Sequence, residues 1–170
     1  FGTDGWRAII AEDFTFENVR ICAQGTADLI NAGNKPARGI VIGYDTRFLS
    51  EEFARAVAEV MTANGIPTML CDRPAPTPTV SYDLVSRYAG AGAIITASHN
   101  PANYNGFKYK PDYGGSASPE IVEQLESRIA AVEQHGVVNR MPLHDAERQG
   151  LLEIFDPEPE YLAHLATIVD

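Results

Sequence analysis

A short apolar segment that ends abruptly in polar residues constrains the fold of this chain more than any other feature. Residues 93–97 are almost all apolar, and Ser98, His99 and Asn100 follow them directly. A continuous apolar run of this length is typical of a strand that is buried on both faces of a parallel sheet. We therefore expect residues 93–97 to form such a strand and to hold Ser98 at its end.

Strands of this kind alternate with amphipathic helices along the chain. Apolar runs predict further strands at residues 8–10, 39–45, 67–71, 107–110 and 152–155. Apolar residues at helical spacing predict helices at residues 17–31, 50–64, 78–88, 118–135 and 145–152, and a last one from Tyr161. Strands that alternate with helices indicate an α/β sandwich around a mostly parallel sheet.

The starts of three helices are predicted from capping residues. Ser50 and Ser118 are expected to act as N-caps, and Thr77 is expected to cap a helix whose first turn contains Pro78.

One edge of the sheet is the expected ligand site. Right-handed connections between parallel strands bring the loops after their carboxyl ends to the same edge. The loops that follow Asp45, Cys71 and residue 97 should therefore lie near one another.

Charge and composition narrow the class of partner. The 170 residues carry a net charge of -10, which argues against binding to nucleic acid or to an anionic membrane. No apolar run approaches the length of a membrane-spanning helix. Cys22 and Cys71 lack metal-type spacing and are expected to be reduced, as in a cytoplasmic protein. No signal peptide is visible; because the chain begins at Phe1, we expect its natural N-terminus to lie upstream.

Ser98 is the strongest candidate for chemistry. A serine hydrolase would place glycines around the serine at a strand-to-helix turn, whereas Ala97 and His99 flank Ser98. Adjacent side chains point in different directions, so His99 is expected to be poorly placed to deprotonate Ser98. A structural alternative is a polar loop in which Ser98 and Asn100 bond to their own backbone.

The cations near Ser98 in the predicted fold favour phosphoryl chemistry instead. Arg7 and Lys108 can supply charge-assisted donors to phosphoryl oxygens. Gly5 and Gly106 lack side chains and would allow the backbone to approach a ligand closely. Each cation alone would suggest ordinary surface solvation, and the prediction depends on their combination with Ser98.

Two motifs resemble the first domain of the α-D-phosphohexomutases, the family that includes phosphoglucomutases and phosphomannomutases. The first motif comprises Phe1, Gly2, Thr3, Asp4, Gly5, Trp6 and Arg7. The second comprises Thr96, Ala97, Ser98, His99, Asn100 and Pro101, followed by Asn105, Gly106, Phe107 and Lys108. The resemblance spans nearly the whole chain and implies a three-layer α/β/α sandwich with a mostly parallel mixed sheet.

The resemblance implies a role for each site residue. Ser98 would be a phosphoserine that donates its phosphoryl group to a hexose phosphate and would ligate a metal through that phosphate. Arg7 and Lys108 would hold the reacting oxygens, Lys108 would also shuttle a proton, and His99 would assist at the serine. The supporting residues of the phosphate site would be Thr3, Gly5, Asn100, Asn105 and Gly106.

The resemblance also implies what the chain lacks. Family members interconvert hexose 1- and 6-phosphates through a hexose 1,6-bisphosphate, with Mg²⁺ held partly by a loop of aspartates in a second domain. No Asp-x-Asp-x-Asp run occurs in this chain. We expect residues 1–155 to form domain I and residues 156–170 to form a linker and the start of a helix that leads into an absent second domain. The fragment alone is expected to be inactive.

Three readings follow for the function. The leading one is a mutase domain specific for glucose or mannose phosphate, because Thr96 replaces the serine typical of phosphoglucosamine mutases. Ala8 also stands where many members have glycine, which would restrict the backbone after Arg7. The second reading is a non-catalytic module that binds phosphate or a sugar phosphate. The third is a flavodoxin-like or signalling domain in which the serine loop is only structural.

Overall fold

A six-stranded sheet forms the centre of the computed structural model, which describes residues 5–33 and 36–169. The strands are β1 (Trp6–Ile9), β2 (Ile40–Tyr44), β3 (Thr68–Cys71), β4 (Ala91–Ile95), β5 (Tyr104–Pro111) and β6 (Leu152–Phe155). The helices are α1 (Phe16–Ala32), α2 (Ser50–Ala63), α3 (Thr77–Ser86), α4 (Pro119–His135), α5 (Leu143–Arg148) and α6 (Glu158–Ile168). A short 3₁₀ turn (Pro36–Arg38) precedes β2.

The strands follow the order β1-β5-β4-β2-β3-β6 across the sheet. Strands β4, β2, β3 and β6 run parallel to one another, whereas β5 is antiparallel to both β4 and β1. Every residue of β2 and β4 is buried, as the continuous apolar runs in the sequence predict. The mostly parallel mixed sheet is therefore confirmed.

Helices cover both faces of the sheet. Helix α2 packs on β2, β3 and β4 and is flanked by α1 and α5, while α4 packs on α1. Helix α3 packs on β2 and β4, and α6 lies against α3. Gly43 and Gly92 of the sheet leave room for Val80 and Leu84 of α3, which sit directly over them. The arrangement confirms the predicted three-layer α/β/α sandwich.

The helix boundaries agree with the sequence at α1 and α4. Thr15 caps α1 by accepting a hydrogen bond from the backbone of Asn18, and Gly33 ends it. Ser118 caps α4 as predicted, and Gly136 ends it in the left-handed conformation at φ 66°.

The predicted N-cap role of Ser50 is wrong. Leu49 occupies the N-cap position of α2 with φ 60°, and its side chain makes no capping bond. The Ser50 hydroxyl instead donates to Asp45 Oδ1 at 2.8 Å, because that carboxylate lies directly below the start of the helix. Thr77 is the first residue of α3 rather than its cap, a displacement of one residue.

The strands next to the serine also differ from prediction. Strand β4 ends at Ile95, so Ser98 lies in a loop rather than at the last residue of the strand. Strand β5 begins at Tyr104 and includes Asn105 and Gly106, which the sequence predicts in a loop. Pairing with strands on both sides overrides the turn-like composition of that segment.

The last helix begins at Glu158, three residues before the predicted start at Tyr161. It packs against α3 through Tyr161 and His164, whose rings lie 5.7 and 4.7 Å from the ring of Tyr82. A domain boundary near residue 155 stays a prediction. In the described part of the chain, no helix combines the length and apolarity that crossing a membrane requires.

Candidate active site

The serine loop, which we define as residues 96–103, connects β4 to β5 at the carboxyl edge of the parallel strands. Ser98 is exposed there and adopts a left-handed backbone conformation at φ 56°. Its backbone N–H donates to Thr96 Oγ1 at 3.0 Å, and the N–H of Asn100 donates to the carbonyl of Ala97 at 3.1 Å. A residue other than glycine in this conformation is uncommon, and such residues cluster at functional sites.

The imidazole of His99 lies beside the Ser98 hydroxyl. Ser98 Oγ and His99 Nδ1 are 3.4 Å apart. The expectation that the two adjacent side chains point apart is therefore wrong, because the left-handed turn at Ser98 folds the chain back on itself. The separation exceeds that of a strong O–H···N hydrogen bond, so this is a close polar contact rather than a tight one.

Arg7 reaches the same loop from the edge of the sheet. It lies on β1 opposite Gly106, and its guanidinium donates to Asn100 Oδ1 at 3.1 Å. The structure thus brings Arg7 and Asn100 together beside Ser98, although they are 93 positions apart in sequence.

Lys108 lies deeper in the same part of the sheet. It is opposite Ile94 on β4 and is only 6% exposed. Strand alternation places Lys108 on the same sheet face as Arg7, and it places Lys110, which is 7% exposed, one step further along that face. Three cations therefore share one face of a protein whose net charge is -10. Arg7 and Lys108 are nearer to the serine loop and have the charge that would attract an anionic substrate, whereas Lys110 lies opposite Gly92 at the start of β4.

Neighbouring backbone atoms leave no room for a side chain at Gly5 and Gly106. A Cβ atom at Gly106 would lie 2.5 Å from the carbonyl oxygen of Thr96 and 2.8 Å from that of Trp6. A Cβ at Gly5, where φ is 101°, would lie 2.3 Å from the carbonyl oxygen of Phe107. Glycine is thus required at both positions for the close approach of strands. The predicted approach of a ligand to these positions stays untested.

Asn105 supports the loop from inside the fold. Its Nδ2 atom donates to Ser50 Oγ at 2.9 Å, and its Oδ1 atom accepts the N–H of Gly106 at 2.8 Å. The side chain is fully buried and links β5 to the start of α2. Asn105 therefore fixes the end of the serine loop from the protein interior.

The loop after β2 lies beside the serine loop as expected, but its residues Asp45 and Arg47 were not among the predicted site residues. Asp45 donates its backbone N–H to the carbonyl of Ile95, and its carboxylate accepts from Ser50 and from the N–H of Arg47. The Arg47 guanidinium lies against the serine loop. The available signal was the same as for Ser98, because polar residues follow a buried apolar strand at both places.

The expected cluster of three loops is present in part. Residues 45–48 line one open cleft together with Ser98, Asn100 and Ala102. The loop after Cys71 lies one strand further away, next to β2, where the N–H of Ala75 donates to the carbonyl of Tyr44. Its charged residues Asp72 and Arg73 interact with each other, and Arg73 pairs with Asp156 beyond β6.

Thr3 lies outside the described residues. Within residues 5–33 and 36–169, no group of three or more histidine, cysteine, aspartate or glutamate side chains is arranged to hold a metal ion.

The serine motif and its fold match one domain family. The family model described as phosphoglucomutase/phosphomannomutase, alpha/beta/alpha domain I, matches residues 1–136. The chain belongs to this family.

Relatives of the domain are much longer proteins. A phosphoglucomutase from Staphylococcus saprophyticus is 40% identical over 139 residues, which cover 78% of this chain and 24% of the relative. A phosphoglucosamine mutase from Alkaliphilus metalliredigens is 31% identical over 170 residues, which cover 100% of this chain and 37% of the relative. The chain thus spans about a quarter to two fifths of these curated relatives.

Solved structures of the phosphoglucomutase/phosphomannomutase family share the fold. A candidate phosphomannomutase from Thermus thermophilus is 30% identical and superposes with a TM-score of 0.84, covering 100% of this chain and 36% of that one. The family resemblance predicted from the two sequence motifs is confirmed.

Proposed function

We propose that this chain is the phosphoserine domain of a longer phosphohexomutase, with Ser98 as the phosphoryl carrier. The observation that carries the proposal is the exposed Ser98, held in a left-handed turn beside His99. Arg7 bonds to Asn100 of the same loop, and Lys108 lies on the adjoining strand β5. Membership of the phosphoglucomutase/phosphomannomutase family supports the same assignment.

In the proposed reaction, a hydroxyl oxygen of a hexose monophosphate attacks the phosphorus of phospho-Ser98. The bond from phosphorus to Ser98 Oγ breaks, and the sugar becomes a hexose 1,6-bisphosphate. The bisphosphate then turns in the site, and its other phosphoryl group returns to Ser98. The net result is exchange between hexose 1-phosphate and hexose 6-phosphate.

The cations of this chain stabilise the transferring group. Phosphoryl transfer depends mainly on positioning and on compensation of negative charge. Arg7 is held near the loop by Asn100 and offers a planar guanidinium to phosphoryl oxygens. Lys108 relays the proton of the attacking sugar hydroxyl to Ser98 Oγ as the bond from that oxygen to phosphorus breaks, and the relay runs in the opposite direction when the phosphoryl group returns. His99 hydrogen-bonds at the serine oxygen.

Mg²⁺ fits this site through phospho-Ser98. When bound, the ion compensates negative charge on the phosphoryl oxygens. We propose that its remaining ligands come from a part of the protein outside the residues described here, since these contain no suitable cluster of three side chains.

The sugar is proposed to be glucose or mannose phosphate, because Thr96 stands where phosphoglucosamine mutases typically have serine. A phosphoglucosamine mutase is also 31% identical over the whole chain, so overall similarity of this domain does not separate the sugars. We propose that recognition of the hexose depends on the remaining domains.

The free cysteines Cys22 and Cys71, both buried, support the expected cytoplasmic location.

Intact-mass measurement of the full-length protein tests the proposal. We expect a phosphate-sized mass increment in the wild type and its loss in Ser98→Ala, together with a fall of mutase activity of at least about 10³-fold. Ser116→Ala is the control, because it removes an exposed serine hydroxyl outside the loop. Wild-type activity in Ser98→Ala would exclude a phosphoserine mechanism.

The alternative is a non-catalytic phosphate-binding module, and it predicts binding without turnover. Lys108→Ala in the full-length protein separates the two. A mutase loses phosphoryl transfer while its folded secondary structure is kept, whereas a binding module shows weaker hexose phosphate binding and has no activity to lose.

We also expect the 170-residue chain alone to be inactive, and interconversion of hexose phosphates by it would contradict that expectation.

A further inference from the structure

All five N–H donors of the Arg47 guanidinium face acceptors, which belong to the serine loop, to Tyr104 and to Asp45. Its Nη1 atom donates to the carbonyls of Pro101 and Tyr104 at 2.8 and 3.0 Å. Its Nη2 atom donates to the carbonyls of Ser98 and Asn100 at 2.9 and 2.7 Å. The Nε atom lies 3.3 Å from Asp45 Oδ2.

This saturation assigns Arg47 a role different from that of Arg7. A guanidinium carries five N–H donors. Four are matched with carbonyl oxygens and the fifth faces Asp45, so none is left for a phosphoryl oxygen. An arginine beside a phosphoserine would ordinarily be interpreted as a phosphate ligand, but here the hydrogen bonds direct it to the backbone.

The bonds to Arg47 also determine which way the loop amides face. All peptide bonds in the described chain are trans, so the C=O and N–H of one peptide group point in opposite directions. The carbonyls of Ser98 and Pro101 point towards Arg47, and the N–H groups of His99 and Ala102 therefore point away from it. Within the described residues, neither N–H donates to a backbone or side-chain acceptor.

Arg47 is itself attached to the rigid part of the molecule. Its backbone N–H donates to Asp45, which continues β2 by donating to Ile95 of the neighbouring strand. The side chain is only 14% exposed. The serine loop is thus fastened to the parallel sheet through a side chain that lies more than 50 residues earlier in sequence.

We propose that Arg47 is a positioning residue for phosphoryl transfer, which turns the peptide groups of the serine loop so that the N–H groups of His99 and Ala102 face the phosphoryl group on Ser98. Backbone N–H groups that converge on one point can form an anion site, even where other residues lie between them in sequence. The proposal rests on the proposed function of Ser98. Arg47 contributes by shaping this site and does not contact the substrate.

The test is Arg47→Lys in the full-length protein. Lysine keeps the charge but has three donors, so at least two of the five contacts are lost. We expect single-turnover transfer from phospho-Ser98 to hexose phosphate to slow by about 100-fold, the size of effect that a displacement of about 1 Å produces. Added guanidinium is expected to restore part of the transfer rate in Arg47→Ala. A loss of rate caused by general destabilisation of the fold would not be recovered, because guanidinium is itself a denaturant.

Arg38→Lys is the matched control. Arg38 also donates to two backbone carbonyls, those of Tyr88 and Ala89, and pairs with Asp112, but it precedes β2 at the opposite edge of the sheet. Its substitution should lower the melting temperature and leave the transfer rate at the wild-type value.

Hydrogen exchange separates this inference from the proposed function. We expect faster exchange in residues 96–105 for Arg47→Lys and in residues 86–92 for Arg38→Lys, whether or not the protein is a mutase. If wild-type protein carries no phosphate on Ser98, the proposed function fails and the exchange result still reports on the loop. If phosphoserine and activity are present, wild-type exchange and wild-type transfer rate in Arg47→Lys would overturn the role of Arg47.

Discussion

Two charged side chains of this domain, Arg47 and Asp83, differ in how completely they are hydrogen-bonded. Each polar hydrogen of the Arg47 guanidinium faces an acceptor. Asp83 on α3 is 1% exposed, yet neither of its carboxylate oxygens has a hydrogen-bond partner among the described residues. The contrast indicates that hydrogen bonding is complete where a loop must keep one shape, and incomplete where helix packing alone determines the structure.

The surroundings of Asp83 explain why its charge is unfavourable. Burial is the largest cause that raises the pKa of Asp83; together with smaller contributions from Glu160 and Asp156 it outweighs the opposing effect of Arg87, and the pKa is raised to about 6. Arg87 is one turn away, but its guanidinium stacks on Phe155 at 4.0 Å and pairs with Glu153 at 3.1 Å. The guanidinium of Arg87 is therefore directed towards β6.

The largest loss of stability is expected for a substitution of Gly106, which lies on β5 next to the serine loop. We expect Gly106→Ala to lower the free energy of unfolding by about 3 kcal/mol, because its methyl group would lie 2.5 Å from a backbone oxygen in a packed sheet. Chemical denaturation measures the change. Gly136→Ala is the comparison, since its methyl group meets nothing within 4 Å and only the backbone strain remains. Equal losses in the two variants would contradict the importance of close packing.

Removing the charge of Asp83 tests how much its burial lowers the stability of the protein. The pKa of Asp83 in the folded state, about 6, is above its ordinary value of 3.8. The folded protein therefore holds this proton more tightly than the unfolded chain, and stability decreases as pH rises from about 4 to about 6. We expect Asp83→Asn to raise the free energy of unfolding at pH 8 by on the order of 2 kcal/mol.

The gain in Asp83→Asn should disappear below about pH 4, where the carboxyl is protonated in both states. Denaturant titrations at several pH values measure it. Glu123→Gln on the exposed face of α4 is the control for the change in net charge. A gain for Asp83→Asn that is independent of pH would show that burial of its charge is not the cause.

Asp45 connects Arg47 to the sheet, and its substitution should have a smaller effect than loss of Arg47 itself. We expect Asp45→Asn to reduce turnover of the full-length protein by about 10-fold, because the side chain loses its ionic partner but Arg47 keeps its four carbonyl contacts. Steady-state kinetics with hexose 1-phosphate measures this. A fall as large as that of Arg47→Lys would mean that the ion pair, rather than the carbonyl bonds, positions the loop.

The smallest effect is expected at Thr96. Its hydroxyl accepts the N–H of Ser98, a bond that serine can also make. Thr96→Ser should therefore leave the turnover and the preference among hexose phosphates unchanged, whereas Thr96→Val should reduce turnover a few-fold. Competition between glucose and glucosamine phosphates measures the preference. A shift towards glucosamine phosphate in Thr96→Ser would contradict this expectation and identify residue 96 as a specificity determinant.

Much of the fold follows from local sequence patterns. The buried strands β2 and β4 have continuous apolar runs, and α1 and α4 have clear ends. The start of β5 was missed because Asn105 and Gly106 favour turns, and only pairing with β1 and β4 makes them a strand. The role of Arg47 could not be predicted because its acceptors lie 51 to 57 positions away. No local periodicity encodes such a contact.

The four carbonyls bound by Arg47 have a consequence for how this chain can vary in length. They are fixed at residues 98, 100, 101 and 104, so one inserted or deleted residue between them would move at least one carbonyl out of reach of the guanidinium. Among the described residues, the segment between β5 and α4 has no comparable fastening to a single side chain. Natural insertions, tags or labels should therefore be accepted between residues 112 and 118, while the serine loop keeps its length.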